Sequence, residues 1–169
     1  MKPRHPHNPT MRRGAYLAAF LWVLVIWGHS FVEGNASSAE SGMVVTLVKP
    51  LLDACGVHEA ALQSFIVRKC GHFTEYLILG LLSVHAWRPD WRRWSGHLLS
   101  LLLFTLCVPC IDETIQRFIP GRQSALRDVV IDLAGAACGL LIASMVQHRR
   151  AAKRADVHVP AHMRTSHDE

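Results

Sequence analysis

Residues Asp112 to Gly139, DETIQRFIPGRQSALRDVVIDLAGAACG, decide how the rest of the chain is read. Asp112 and Glu113 close one hydrophobic stretch, a Pro120-Gly121 turn carrying Arg122 follows, and Asp128 and Asp132 open the next hydrophobic stretch. Ionisable groups are costly at or inside a membrane segment, so they face a protein interior and mark a site. The stretch predicts two membrane helices joined by a polar turn, with the chemistry gathered where they meet.

The composition fits that reading. The chain has 169 residues, enough for one domain. Half of it is hydrophobic, and its mean hydropathy is positive at +0.19 despite a net charge of +5. Those values reconcile only if apolar and charged residues are segregated along the chain. Cysteines 55, 70, 107, 110 and 138 form no regularly spaced disulfide framework. Basic residues gather at the two ends and in one short loop, a pattern of membrane topology and not of nucleic-acid binding.

Upstream, an apolar run from Gly14 to about Val32 stands behind Lys2, Arg4, Arg12 and Arg13. A basic head, an apolar run and Ala36-Ser37-Ser38-Ala39 also describe a cleaved signal peptide, but the run is longer than the ~7–15 residues of such a region. A membrane helix is the better reading. From Asn35 to Val67, Met43, Val44, Leu47, Val48, Leu51 and Leu52 fall on one helical face, and Ala61, Leu62, Phe65 and Ile66 on another, with Pro50 and Gly56 between. These predict short amphipathic helices at the membrane interface; a soluble loop packed on the bundle is the alternative. The expected fold is all-α: an integral membrane bundle of four transmembrane helices, about 14–32, 66–87, 94–114 and 128–147. A basic N-terminus (1–13) precedes the domain of 14–147, and a polar tail (148–169), disordered from Ala155, follows it.

Lys and Arg set the orientation. The N-terminus, the loop Arg88–Arg93 and the tail hold twelve of the eighteen, and alternation puts these three on one side, leaving six opposite. Both termini are therefore expected in the cytoplasm, with the turn around Arg122 outside. Counting ~1.5 Å per residue along each helix brings His29, His72, Glu75, Asp112 and Asp132 into one layer in the outer part of the bilayer, Glu75 the deepest acid. Arg68, His72 and Glu75 follow i, i+4, i+7 spacing, and Asp112 with Gln116 and Asp128 with Asp132 follow i, i+4. Buried charges need partners, so a compact network facing the bundle interior is expected.

Arg68-Lys69-x-x-His72-Phe73-x-Glu75-Tyr76, then Asp112-Glu113-x-x-Gln116-x-Phe118-x-Pro120-Gly121-Arg122, then Asp128 and a helix of small residues, resemble the VanZ-like family. Ser37-Ser38-Ala39-Glu40-Ser41-Gly42 after the first helix is similar too, and the resemblance covers roughly Leu17 to Ile142. It implies a small multi-pass protein of four or more helices in the bacterial cytoplasmic membrane. It also implies a link to glycopeptide (teicoplanin) resistance, from which the family takes its name, but no settled chemistry. Asp132 departs from the pattern, which more often has Asn; an extra buried carboxylate must be protonated, paired or metal-bound.

Arg68, Lys69, His72, Glu75, Asp112, Glu113, Gln116, Arg122, Asp128 and Asp132 are thus the candidate ligand-binding residues. His72 and Glu75 form an H-x-x-E pair, a spacing used by carboxylate-bridged metal sites in helical bundles. With the aspartates and Glu113 they would hold a divalent cation, Mg²⁺ or Zn²⁺, or supply an acid and a base. A structural network in which Arg68, Lys69 and Arg122 satisfy the carboxylates meets the same requirement. Arg122 is the best residue to grip a phosphate or carboxylate, because its planar fork binds such groups at two points. Membrane lipids or a cell-wall precursor are the expected partners. Three functions follow: a binding protein of the envelope, a membrane enzyme acting on a lipid-linked or cell-wall precursor, or a structural subunit. Cys107-Val-Pro-Cys110 reads as packing, not redox. Gly135-x-x-x-Gly139 reads as close helix approach within the bundle.

Overall fold

The computed structural model describes residues 9–32, 34–87, 95–122 and 125–157. Five helices follow in order: α1 (Pro9–Ser30), α2 (Gly34–Ala54), α3 (Ala60–Trp87), α4 (Gly96–Arg117) and α5 (Leu126–Val157). No strand occurs among the described residues. Two helices, Gly96–Arg117 and the Leu126–Lys153 part of α5, are long and apolar enough to cross a membrane by length and composition. In α3 the span is diluted by Arg68, Lys69, His72 and Glu75.

The helices are longer than expected. Met43 to Leu52 is the second half of a single 21-residue helix, with Pro50 in its last turns. That helix ends at Gly56, whose φ of 83° is open to glycine without a Cβ penalty. Val57 N donates to Leu52 O at 2.9 Å and Gly56 N to Asp53 O at 3.0 Å, the paired bonds that close a helix C-terminus. The second amphipathic face, Ala61 to Ile66, is no separate helix but the start of α3. α4 begins at Ser95, whose Oγ accepts from Leu98 N at 3.3 Å, and runs to Arg117, past the expected 114. α5 runs to Val157, ten residues past the expected 147, so the first part of the basic tail is helical. Six of the twelve basic residues on which the orientation rests, Lys2, Arg4, Arg88, Arg92, Arg93 and Arg164, lie outside the described residues.

α3 is the central helix, touching α1, α2, α4 and α5, and its closest partner is α5. Gly80, Gly135 and Gly139 explain that approach. A Cβ on Gly80 would overlap the carbonyl oxygen of Ala136, one on Gly135 that of Phe73, and one on Gly139 that of Leu77. The small residues of α5 thus let backbone meet backbone, as their spacing predicts. Val23, Ile26, Tyr76, Leu79, Val108 and Ala136 form one apolar cluster across α1, α3, α4 and α5. Val84, Leu101, Leu140 and Ala143 form a second beyond it. Trp87 closes that end, its ring 4.8 Å from both Tyr16 and Phe104. Outward, Leu17, Leu21, Leu24 and Val25 of α1 and Met43, Leu47 and Leu51 of α2 are exposed.

Candidate functional site: a buried polar cluster at one end of the bundle

Helical periodicity builds the site. On α3, residues 69, 72 and 76 share the face that later carries Gly80; on α5, residues 128 and 132 share the face that later carries Gly135 and Gly139. The contact that is backbone on backbone at one end is therefore charge on charge at the other.

Lys69 Nζ stands 2.6 Å from Asp128 Oδ1, with side chains 18% and 8% exposed. One turn further in, His72 Nδ1 lies 3.5 Å from Asp132 Oδ1, and the Asp132 side chain is 0% exposed. α4 supplies Asp112, also fully buried. Its Oδ1 accepts a short hydrogen bond from Ser30 Oγ of α1. Gln116 Nε2 donates to Asp112 Oδ2 at 3.1 Å and to Ser30 Oγ at 3.3 Å. Ligand atoms of His72, Asp112 and Asp132 all lie within 4.8 Å of one another. Tyr76, buried beside Asp112 and Asp132, completes this floor.

The remaining acids turn to other work. Glu113 Oε1 accepts from Ala125 N at 2.6 Å and so holds the entrance of α5. Glu75 Oε1 meets His29 Nδ1 of α1 at 2.9 Å, and the carbonyl of Glu75 accepts from Trp22 Nε1 at 2.8 Å. Arg122 Nε donates to Val32 O at 3.0 Å and its terminal nitrogen to His29 O at 2.9 Å. A helix leaves its last carbonyls without internal donors; Arg122 reaches one in the last turn of α1, His29 O, which also accepts from Val32 N, and one just beyond the helix, Val32 O.

Eight of the ten expected residues thus stand in one connected region: Lys69, His72, Glu75, Asp112, Glu113, Gln116, Asp128 and Asp132. Arg122 borders it through the end of α1. Arg68 is exposed, although it stands i, i+4 from His72 on the same helix. The H-x-x-E pair is also split: His72 turns to Asp132 on α5 and Glu75 to His29 on α1. Nor is Glu75 the acid most dependent on a partner. Its side chain is 21% exposed, whereas Asp112 and Asp132 are fully buried. Depth along a helix and burial inside a bundle are different quantities.

Three contributors stand outside the ten candidates: Ser30 binds Asp112, His29, which helical rise places in the polar layer, binds Glu75, and Trp22 binds the Glu75 carbonyl. The signal for the first two is two adjacent polar residues at the end of an otherwise apolar helix; an indole donor inside an apolar run carries none.

Chemically, the cluster places five carboxylates (Glu75, Asp112, Glu113, Asp128, Asp132) against one lysine and two histidines, His29 and His72, at the end of an apolar bundle. Several buried atoms there have no hydrogen-bond partner among the described residues: both oxygens of Asp132, Nδ1 of His72, Oε2 of Glu113 and the hydroxyl of Tyr76. Native interiors leave few such atoms, and each needs an explanation.

No curated protein and no solved structure matches the chain. The VanZ/LLP1 family profile matches residues 15–147, from the first apolar turn of α1 through α5, and so takes in every residue of the cluster. With the charged turn, the carboxylates and the small-residue helix all inside that match, the chain belongs to the VanZ/LLP1 family.

Proposed function

We propose that this VanZ-like protein is a multi-pass protein of the bacterial cytoplasmic membrane whose polar cluster opens to the outer surface. There it binds an anionic lipid head group or a cell-wall precursor, changing the envelope and its susceptibility to teicoplanin-type glycopeptides. The observation that carries this reading is the confinement of polar groups to one end of an otherwise apolar bundle. Structural pairing alone would not leave Asp132 buried with neither oxygen hydrogen-bonded and His72 no nearer than 3.5 Å. The exposed apolar faces of α1 and α2 suit lipid, α2 lying along the interface with Met43, Leu47 and Leu51 turned outward from the bundle toward the lipid. The link to glycopeptides rests on the family.

Expression in a teicoplanin-susceptible bacterium tests it. The wild-type chain is expected to raise tolerance, and Asp112→Asn to abolish the effect while inserting at normal levels. Cysteine labelling, with native cysteines replaced, should find position 121 accessible from outside and position 95 only from the cytoplasm. Unchanged tolerance on expression would remove the glycopeptide link, and labelling of position 121 from the cytoplasm would reverse the orientation.

A second reading, a membrane-embedded enzyme acting on a lipid-linked or cell-wall precursor, is favoured by the convergence of His72, Asp112 and Asp132. An enzyme would convert a labelled precursor in reconstituted membranes; a binding protein would return it unaltered.

A further inference from the structure

We propose that His72 of α3, Asp112 of α4 and Asp132 of α5 form a binding site for a divalent transition-metal cation, zinc before others. The inference rests on the geometry of these side chains and not on the anion-binding reading. Three helices each deliver one potential ligand, and the ligand atoms lie within 4.8 Å of one another. With zinc–ligand bonds of ~2.0–2.1 Å, neighbouring ligand atoms of a tetrahedral site stand about 3.4 Å apart. The separation of His72 Nδ1 from Asp132 Oδ1, 3.5 Å, is already that of such an edge and is long for a hydrogen bond.

Hydrogen bonding gives independent support. Asp132 is 0% exposed, yet neither of its oxygens has a hydrogen-bond partner among the described residues, and neither has His72 Nδ1, which approaches one of them only to 3.5 Å. Leaving a buried carboxylate so is costly. One cation between the three helices would satisfy all three atoms together. Asp112 differs in a way that fits the same site: Ser30 and Gln116 each bond one of its oxygens. A carboxylate has about four lone-pair positions, so both oxygens keep room for a metal. Ligating carboxylates are themselves held by outer hydrogen bonds in this manner.

Charge and ligand type narrow the ion. Two carboxylates and a neutral imidazole carry two negative charges, and Lys69, the nearest lysine in the cluster, is engaged at Asp128. Imidazole suits zinc and its neighbours, whereas magnesium keeps an octahedral shell of oxygens with several waters. Three protein ligands leave one position open, and the His72 side chain, 14% exposed, marks the way in.

The test uses the full-length protein, purified without a histidine tag, reconstituted in nanodiscs and stripped with a chelator. Zn²⁺ alone is titrated against a chromophoric competitor. Histidines and cysteines elsewhere give a background common to all variants, so the readout is the difference between them. Wild type should bind one equivalent more than Asp132→Asn or His72→Gln, whose affinity at that site falls about a hundred-fold or more. Ser30→Ala, which touches only the outer bond to Asp112, should weaken it about ten-fold. Co²⁺ in the wild-type protein should show the visible absorption of a four-coordinate nitrogen–oxygen site. Equal zinc binding in wild type and Asp132→Asn overturns the proposal, as does a wild type with no such cobalt absorption. If Asp132→Asn fails to insert, Ser30→Ala and the cobalt spectrum decide. Zinc affinity and glycopeptide tolerance are read separately, so failure of either proposal is seen without the other.

Discussion

α3 and α5 run side by side, but their two ends are held together by opposite means. Around Gly80, Gly135 and Gly139 the helices touch through backbone, and beyond them apolar Val84, Leu140 and Ala143 fill what remains. At the other end, on the same helical faces, Lys69 meets Asp128 and His72 meets Asp132. The buried polar side chain at the glycine end, Ser83, is satisfied inside its own helix, its Oγ donating to Leu79 O at 2.7 Å, and no Cβ fits beside Gly139. The charged end is stable only as far as each buried charge finds its partner. A packed end tolerates ligands poorly, whereas an end with buried polar atoms that lack hydrogen bonds has sites left to fill, which is why the proposed binding is put at the charged end.

Removing one charge should have the largest effect. Lys69→Met leaves Asp128 with only the exposed Arg127, whose Nε lies 3.6 Å from its Oδ1, and breaking a buried pair from one side costs about 3–5 kcal/mol. The pair is partly exposed, so about 3 kcal/mol is expected, read as a shift of the SDS-unfolding midpoint. Lys69→Met with Asp128→Asn should recover most of the loss. If the single variant is as stable as wild type, the charged end is no structural element and the contrast breaks.

At the glycine end, Gly139→Ala is expected to cost about 1–3 kcal/mol. Its Cβ would meet the carbonyl of Leu77 and lie 2.9 Å from Leu81 N and 3.0 Å from the Gly80 Cα, none of which can swing away. Gly71→Ala is the control on α3, because a Cβ there meets nothing within 4 Å. Alanine favours a helix over glycine by roughly 0.5–1 kcal/mol, so that variant should be neutral or slightly more stable in the same unfolding assay. Equal losses at 71 and 139 would mean that the close approach is not what holds this end.

The contrast was partly legible in the sequence. Small residues at 135 and 139 and acids at 128 and 132 stand on one helical face, so periodicity alone orders them along α5. The i, i+4 pairs bring Asp112 and Gln116 together, because α4 stays helical through both. Partner choice was not legible. Whether His72 turns to Glu75 or to Asp132 depends on which helix packs against its face, and spacing within one helix cannot say. Ser30 was missed for the same reason: its partner is 82 residues away. Helix ends were not legible either: α5 runs on to Val157 through residues 148–153, which are exposed.

Glu113 sharpens the contrast from the turn that feeds α5. Its Oε1 accepts from Ala125 N at 2.6 Å, a charge-assisted bond at the helix entrance. Glu113→Ala should destabilise by about 1–2 kcal/mol, within the range for helix-capping groups. Glu113→Gln, which keeps an acceptor, should lose less. Equal losses in the same assay would show that the carboxylate's charge, and not the bond, positions α5.

The smallest effect is expected where the same kind of pair is solvent-exposed. Lys49 Nζ lies 3.2 Å from Asp53 Oδ2 on α2, with side chains 53% and 35% exposed, and Gln63 of α3 donates to Asp53 Oδ1 at 2.8 Å. The Lys49 bond, aided by its charge and by Gln63, holds the Asp53 carboxyl below its ordinary pKa. A carboxylate lowered in this way stabilises the fold above its unfolded pKa, and the contribution is lost as pH falls through the folded value. Any dependence on Asp53 therefore belongs below about pH 4. Exposed pairs are screened and pay for ordering two side chains, so at pH 7 Asp53→Asn should leave the unfolding midpoint almost unmoved. Comparing Asp53→Asn with Lys69→Met separates burial from charge: similar attraction, different surroundings. If the exposed variant proved as damaging as the buried one, charge alone would be stabilising both places. The charged end of the bundle would then lose its claim to be special.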